Sequence, residues 1–583
     1  MNKYGCDILL SLAENPISTQ RDLSIRCGIS LRTVNRSLKA LRGENLLDKN
    51  NKLTAKAFAL IENRKPSRAI ILAAGYGMRM VPINIETPKA LLTIRGEVLI
   101  ERLIKHLHEV NIREIYVVVG FMKERFEYLR DTFGVHLIYN SEYSLKNNLY
   151  SVSLALDFLS NAYVIPCDLW CEENPFHHYE LYSWYMVSDA MHKDSSVIAN
   201  RHHRLVKTKT SGNRMIGISY LTVPESEIVR SNISRMCVQR LFDNDFWESA
   251  LYLKDRMVLY ARVVSDKKVI EINTYEQLRT FDSDSDNLKS DAITTIMKAL
   301  SIGEKEITNI TVLKKGMTNR SFLFQHGSKK YIMRIPGEGT DKLINRQQEY
   351  AVYSVLNGKG ICDNVVYINP ENGYKITEFL DGARVCDPYC PEDVQKAMAK
   401  LRSFHEEAIV VDHTFDIFDQ IQYYENLRNG VPSEYKDYPL IKEQVFALRA
   451  FIDSLSPTYC LSHIDAVADN FLFVPKAQSE EIRLIDWEYA GMQDPHVDIA
   501  MFCIYAMYDR SHIEALINTY FSEGCSRATR AKIYCYIAAC GLLWSNWCEY
   551  KRSLGVEFGE YSLQQYIYAK EYSKVAKVAI QEL

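Results

Sequence analysis

The chain holds its most chemically suggestive residues where an apolar run ends in glycines. Arg68-Ala69-Ile70-Ile71-Leu72-Ala73-Ala74 leads into Gly75-Tyr76-Gly77-Met78-Arg79, and Thr87-Pro88-Lys89-Ala90-Leu91 follows. The apolar run predicts a buried strand, and the glycines predict a tight turn at its end. Glycines let backbone N–H groups approach a triphosphate, while Arg79 and Lys89 would neutralise its charge. Leu72, Ala73, Ala74, Gly75, Gly77 and Lys89 are therefore candidate nucleotide-binding residues, with Lys89 and Arg79 as candidate catalytic cations. A second chemistry is suggested by Gly541-Leu542-Leu543-Trp544-Ser545-Asn546-Trp547-Cys548-Glu549, which puts Trp544 and Trp547 on one helix face at i and i+3. A cation with no hydrogen-bond donor on its nitrogen is best held by aromatic faces and a carboxylate, each cation–π contact contributing ~0.5–2 kcal/mol. Two helical tryptophans also suit a core, and the spacing leaves both readings open.

The run LAAGxGxR followed by TPKxL resembles the sugar-phosphate and phosphocholine nucleotidyltransferases. Leu99-Ile100-Glu101-Arg102-Leu103, a strand from Ile115 to Val119 and a strand from Val135 to Tyr139 alternate as a parallel, Rossmann-like sheet would. Asn147-Asn148-Leu149-Tyr150-Ser151 is similar to the base-contacting stretch of the phosphocholine enzymes, where sugar enzymes carry a Gly-rich equivalent. That resemblance implies CTP, with Asn147, Tyr150 and Ser151 at the base. Tyr163-Val164-Ile165-Pro166-Cys167-Asp168 is a strand ending in a carboxylate, where Asp168 would hold a triphosphate-bridging Mg2+ or simply cap a helix. The family's second metal carboxylate falls at Asn273 in Val269-Ile270-Glu271-Ile272-Asn273-Thr274, where an amide oxygen can coordinate without adding charge. Aromatics around Asp245-Phe246-Trp247-Glu248 could receive a trimethylammonium, although Trp247 also suits a core.

A second nucleotide pattern begins at Ile310. Ile310-Thr311-Val312-Leu313, the turn Lys314-Lys315-Gly316-Met317-Thr318 and the return Asn319-Arg320-Ser321-Phe322 read as two strands around a phosphate-covering turn. Arg334 lies on the next strand, and Glu349, on the helix after it, is placed to pair with it as strand and helix residues do in kinases. Arg334 followed by Ile-Pro-Gly resembles the choline kinases. His463-Ile464-Asp465-Ala466-Val467-Ala468-Asp469-Asn470 and Leu484-Ile485-Asp486-Trp487-Glu488 resemble the signature shared by choline and aminoglycoside kinases. The resemblance implies that Asp465 accepts the substrate hydroxyl proton and that Asn470 and Asp486 hold Mg2+. Asn319, Arg334, Glu349 and Glu378 would surround ATP, Glu378 through the backbone of a hinge with Thr377 and Phe379. The WxxW of Trp544 and Trp547 resembles the choline kinase cage, which Trp487 and Tyr489 would complete. No dense acidic run suits an aminoglycoside.

Elements must position these residues, and 583 residues with 47% hydrophobic and 25% charged content suffice for several domains. No apolar run approaches the ~20 residues of a membrane helix, and the first residues fit neither a secretory signal nor a transit peptide. Cysteines show no CxxC pair, which reads as reduced thiols in a cytoplasmic protein without structural zinc. Residues 1–68 hold 13 Lys and Arg against 6 Asp and Glu in a chain of net charge -3, so the first segment has its own partner or origin. Apolar spacing there predicts a helix through Cys6 to Leu12, a second from Thr19 to Cys27 capped by Ser18, and a turn at Gly28-Ile29-Ser30. A third helix from Leu31 to Leu47, a hairpin at Asp48 to Lys52 and a fourth helix capped by Thr54 follow. The pattern resembles the winged helix-turn-helix of bacterial regulators, which implies DNA read by Arg32, Thr33, Asn35, Arg36 and Lys39; the same residues also suit a solvated helix face in a domain that only packs against its neighbours.

The sequence thus predicts an α/β multidomain chain: a winged helix-turn-helix (1–66), a Rossmann-like nucleotidyltransferase (67–285) and a bilobal, protein-kinase-like phosphotransferase (291–583). The polar run Asp282 to Asn287 reads as the linker before the last domain. The expected activity is choline to phosphocholine with ATP, then phosphocholine and CTP to CDP-choline, both with Mg2+ and away from membranes. Ethanolamine or a sugar as substrate, or a DNA-binding regulator that senses choline or CTP, are the alternatives.

Overall fold

The computed structural model describes residues 2–16, 19–83, 87–313, 319–337, 340, 342–477, 479–554 and 558–583. The chain divides into two compact units, Met1–Ile293 and Thr294–Leu583.

The first unit begins with α1 (Lys3–Glu14), α2 (Gln20–Cys27), α3 (Leu31–Gly43) and α4 (Ala55–Asn63). Asn2, Thr19, Ser30 and Thr54 each accept a backbone N–H at the start of the helix they precede, which is why the helices begin there. The expected cap Ser18 lies outside the described residues, and Thr19 caps α2 in a reciprocal pair with Asp22. Gly28 at φ 59 supplies the left-handed turn between α2 and α3. The third helix stops at Gly43, four residues before the expected end. Asn45 at φ 56 turns the chain, so that Leu46 and Leu47 fold under the helices and Leu47 bridges to Leu53. Ile8, Leu9, Val34, Leu38 and Leu41 share this small core with Leu181 of the following domain. The Arg64 guanidinium donates to the Leu181 carbonyl at 2.7 Å, and the Tyr220 hydroxyl donates to the Arg64 carbonyl at 2.5 Å.

Arg68–Ala73 lies inside a ten-stranded sheet, parallel to Glu114–Val119 on one side and to Ala162–Pro166 on the other, with His136–Tyr139 parallel beyond. The expected parallel order holds for these four strands, and Arg256–Val264 also runs parallel to Trp184–His192. Gly212–Leu221 runs antiparallel to both Ala162–Pro166 and Trp184–His192, so the sheet is mixed. No helix intervenes between Pro166 and Gly212, and parallel neighbours need such a crossover. The supposed linker is also pinned, against expectation. The Asp282 carboxylate accepts the Arg95 N–H at 2.6 Å, while Ser285 and Asn287 donate to the Thr93 carbonyl at 3.0 and 2.7 Å. Its polar groups are satisfied by a neighbouring hairpin, which is how so polar a segment comes to pack.

The second unit is bilobal. Its first lobe is the antiparallel sheet of Thr308–Val312, Asn319–His326, Lys329–Pro336, Lys375–Glu378 and Val365–Ile368, with the helix Arg346–Leu356. The second lobe is helical around Arg527–Ser553, which is buried over most of its length. Two small antiparallel pairings, Cys460–Ser462 with Gly491–Gln493 and Phe471–Pro475 with Glu480–Leu484, bring the loops 463–470 and 485–490 side by side.

Candidate active sites

The first site is a cleft of about 430 Å³ at the carboxyl ends of the parallel strands, where open α/β sheets take ligands. Leu72, Ala73, Ala74, Gly75, Gly77 and Lys89 form one wall, and Asn147, Ser151 and Asp168 lie on the other. Gly77 has φ 61, and a Cβ there would stand 3.2 Å from that of Lys89, so the loop closes over the lysine only as glycine. The Lys89 ammonium donates to Asp168 Oδ2 at 2.5 Å and to Asn273 Oδ1 at 2.8 Å, joining three residues distant in sequence. Asp168 Oδ1 is buried and has no hydrogen-bond partner among the described residues, so an oxygen remains that fits a hard divalent cation. Asn147 caps the helix Asn148–Ser153 and donates to the Asn244 carbonyl, so its polar atoms are used in shaping the wall. Arg79 is exposed and outside the cleft wall, and the half-buried Tyr150, whose ring lies 4.7 Å from the Lys146 ammonium, is outside it too. Trp247 belongs to the core beneath. Asn140 and Tyr143 line the cleft from a loop without a recognisable pattern, and sequence reading missed them.

The second site lies in the Thr294–Leu583 unit. The Arg334 guanidinium donates two hydrogen bonds to the Glu349 carboxylate and one to the Gly373 carbonyl at 3.0 Å. Burial works to raise the Glu349 carboxyl, but Arg334 overrides it and holds it down to about 2. Asn470 Nδ2 donates to the Asp465 backbone carbonyl at 2.9 Å and to its carboxylate at 3.2 Å, tying the two signature residues together. Ile464 and Asp486 both have φ 67, a left-handed conformation that costs a non-glycine residue roughly 1–3 kcal/mol and is worst for a β-branched one. Asp498 holds the first of them. Its carboxylate accepts the His463 and Ile464 N–H groups at 2.8 and 2.7 Å and contacts His405 Nε2 at 2.9 Å. His463 bonds through Nε2 to the Ile485 carbonyl at 3.0 Å, linking the two loops, and burial pushes its pKa down to about 4. No local signal marked Asp498, which arrives from a helix 28 residues past Asn470.

Asp465 is pushed well above the carboxylate range by burial, then by Asp486 and Glu488, and the same burial and Asp486 push Glu488 up to about 7. Of the groups lining this cleft, the carboxylate of Asp486 and the amide oxygen of Asn470 are hard oxygens of the kind a divalent cation takes. Asn319 Nδ2 donates to Glu488 at 2.9 Å. The turn Lys314 to Thr318 lies outside the described residues. Thr377 faces the cleft, whereas the Glu378 side chain bonds to Lys329 and Asn364 instead.

The cleft, of about 400 Å³, continues into an aromatic recess of Tyr489, Tyr505, Trp544, Trp547 and Tyr561. The ring of Trp544 meets that of Trp547 edge-on at 5.3 Å and that of Tyr489 at 5.5 Å. Trp487 is not part of it. This ring is fully buried, donates to the Leu484 carbonyl at 2.9 Å and packs against Phe404 and His463, because the residue after a left-handed Asp486 turns back into the core. Tyr505 and Tyr561 were not foreseen, since nothing local sets either apart from the other aromatic residues of its helix.

In the first unit, α1 and α4 face the neighbouring domain, and the side chains of Arg32, Asn35, Arg36 and Lys39 on α3 are exposed together. Thr33 is half-buried, and its backbone and hydroxyl engage Ser30 in the helix cap.

Residues 310–525 match the family model for choline/ethanolamine kinase, residues 69–179 that for a MobA-like NTP transferase domain, and residues 1–48 that for a winged helix-turn-helix DNA-binding domain. A choline-phosphate cytidylyltransferase of Streptococcus pneumoniae is 30% identical over 228 residues, 36% of this chain and 95% of that protein. Protein LicA of Haemophilus influenzae is 24% identical over 262 residues, 43% of this chain and 96% of that protein. The solved choline kinase LicA of Streptococcus pneumoniae is 29% identical and covers 49% of this chain and 100% of its own, with a TM-score of 0.43. The chain is a transferase that carries a nucleotidyltransferase domain and a kinase domain behind a helix-turn-helix.

Proposed function

We propose that this chain, which belongs to the choline-phosphate cytidylyltransferase family, catalyses two consecutive transfers. Residues 291–583 phosphorylate choline with ATP, and residues 67–285 transfer a cytidylyl group from CTP to the phosphocholine, releasing CDP-choline and pyrophosphate. The observation that carries the reading is the aromatic recess opening onto Asp465, Asn470 and Asp486, since it offers a quaternary ammonium π-faces beside a base.

In the kinase, the recess orients choline so that its hydroxyl meets Asp465, which takes the proton as the oxygen attacks the γ-phosphorus and ADP leaves. The raised pKa of Asp465 suits a base that must hold the proton it accepts. In the cytidylyltransferase, a phosphocholine oxygen attacks the α-phosphorus of CTP, and Lys89 follows the charge that develops there. Both domains are of kinds that use a divalent metal, which we assign as Mg2+. Asp486 and Asn470 would hold it in the kinase, and Asp168 with Asn273 in the transferase, where it would supply positive charge that offsets that of the phosphates. Residues 1–66 are assigned to DNA, through the exposed Arg32, Asn35, Arg36 and Lys39, with Thr33 at the helix start. No helix among the described residues is long and apolar enough to cross a membrane, and we place the reactions in the cytoplasm.

The test is incubation with choline, ATP, CTP and Mg2+ and identification of the products by mass spectrometry, with ethanolamine in a parallel arm. Phosphocholine and then CDP-choline are expected. Absence of phosphocholine, or faster turnover of ethanolamine, overturns the assignment.

A further inference from the structure

The cation that the sequence places over the nucleotide phosphates, Arg334, is already committed to Glu349 and to the Gly373 carbonyl. The neighbouring strand brings a second cation to the same cleft. Lys375 stands opposite Arg334 in the antiparallel register, is 5% exposed, and lines the cleft with Asn319, Asp363, Thr377 and Asp486. Its Nζ donates to the Tyr353 hydroxyl at 2.5 Å and lies 3.8 Å from Asp363, beyond hydrogen-bond distance. Asp363 Oδ1 is likewise buried with no hydrogen-bond partner among the described residues. An ammonium carries three N–H donors on a flexible stem, so Lys375 retains donors after its bond to Tyr353, whereas both Nη groups of Arg334 are engaged and only its Nε lacks a partner among the described residues. A buried lysine is costly unless it is paired, and here the site beside it is one that a polyphosphate would fill.

We propose that Lys375 directly holds the β- and γ-phosphates of the nucleotide, and that Arg334 is a positioning residue that ties its strand to the helix Arg346–Leu356. The inference rests on the kinase reading of this unit. Lysine suits the task because it acts as a mobile point charge, able to follow the transferred group.

The test uses the full chain and three variants, with the ATP KM of choline phosphorylation and the inhibition constant of AMP as readouts. Lys375→Met should raise the ATP KM at least tenfold and leave AMP inhibition within twofold, because AMP lacks the two phosphates concerned. Lys375→Arg should remain within threefold of the parent in both. Asp363→Asn should leave the ATP KM unchanged or lower it, since it removes a negative charge beside the phosphates. If Lys375 merely neutralises Asp363, both variants that break the pair raise the ATP KM alike, and the inference is overturned. It is also overturned if AMP inhibition weakens in step with the ATP KM. Folding is checked by melting of each variant and by CDP-choline formation from supplied phosphocholine. Should the methionine variant fail to fold, a raised ATP KM in Asp363→Asn decides against the inference. A parent chain that phosphorylates no choline would instead overturn the kinase reading itself.

Discussion

Replacing Trp544 by alanine separates recognition from packing at a single residue. Trp544 is 8% exposed on a helix buried over most of its length, its Nε1 points at the Met501 sulfur at 3.2 Å, and its ring makes edge-on contacts with those of Tyr489 and Trp547. Burial of that extent predicts a loss of roughly 3–5 kcal/mol on truncation, as for other core tryptophans. In a unit of this size that lowers the melting midpoint by about 10 °C, at roughly 2–4 °C per kcal/mol. The same ring lines the recess, and loss of one cation–π contact of ~0.5–2 kcal/mol raises the choline KM about two- to thirtyfold. Both effects are expected together, so neither alone decides between cage and core. Selectivity decides. Initial rates with choline and ethanolamine, taken well below the new melting point, should show the choline KM rising more than the ethanolamine KM while the ATP KM stays put. Trp544→Phe should recover much of the choline preference, because it keeps a π-face. Equal rises for both amines, or a parallel rise for ATP, would refute the claim that this ring recognises the cation.

Three other outcomes follow from the geometry. Lys89→Ala should abolish CDP-choline formation while phosphocholine still accumulates, and Asn273→Asp should sharpen the dependence on Mg2+ with little loss of rate, both read by product analysis; a dead Asn273→Asp chain would mean the metal ligands are misplaced. Asp498→Ala should lower kcat for choline phosphorylation at least tenfold with little change in either KM, because it releases the N–H groups of His463 and Ile464 and lets the Asp465 loop relax. Glu180 accepts two hydrogen bonds from Arg262 at 2.7 and 2.8 Å; burial works to raise its carboxyl, but Arg262 holds it down to about 2, below its ordinary 4.5. A depressed carboxyl stabilises fully above 4.5 and loses that contribution as pH falls toward 2, so the calorimetric gap between parent and Glu180→Gln, about 3–5 kcal/mol at neutral pH, should shrink between pH 4.5 and 3; a constant gap would rule the ion pair out as its source.

What the sequence made legible was local and repetitive. The glycine loop with Lys89, the strand ending at Asp168, the Arg334 and Glu349 pair and the two kinase loops each carry their order in a short stretch. The convergence of Lys89, Asp168 and Asn273 could be expected only through resemblance, because the three are separated by 79 and 105 residues and nothing local marks the amide. Asp498, Lys375, Tyr505 and Tyr561 were illegible for the same reason: no local pattern sets any of them apart from its neighbours, and only packing aims it. Trp487 misled because adjacency to Asp486 suggested a shared cavity, whereas a left-handed backbone sends consecutive side chains to different sides. The antiparallel half of the sheet escaped because apolar runs disclose strands but not their direction.

The helix-turn-helix does not hang from the cytidylyltransferase on a string; it is soldered to it. Leu181, a brick from one building, is laid in the wall of the other, and the bonds at Arg64 clamp the joint. Deleting residues 1–66 would therefore remove a wall of the enzyme as well as a reading head, leaving a bald apolar spot where solvent was never meant to reach. Conversely, with α3 seated in a groove, the catalytic cleft of the same unit would be carried at a fixed bearing around the duplex, like a compass needle riveted to its case. Partners assembling beside it would meet that enzyme from one direction only.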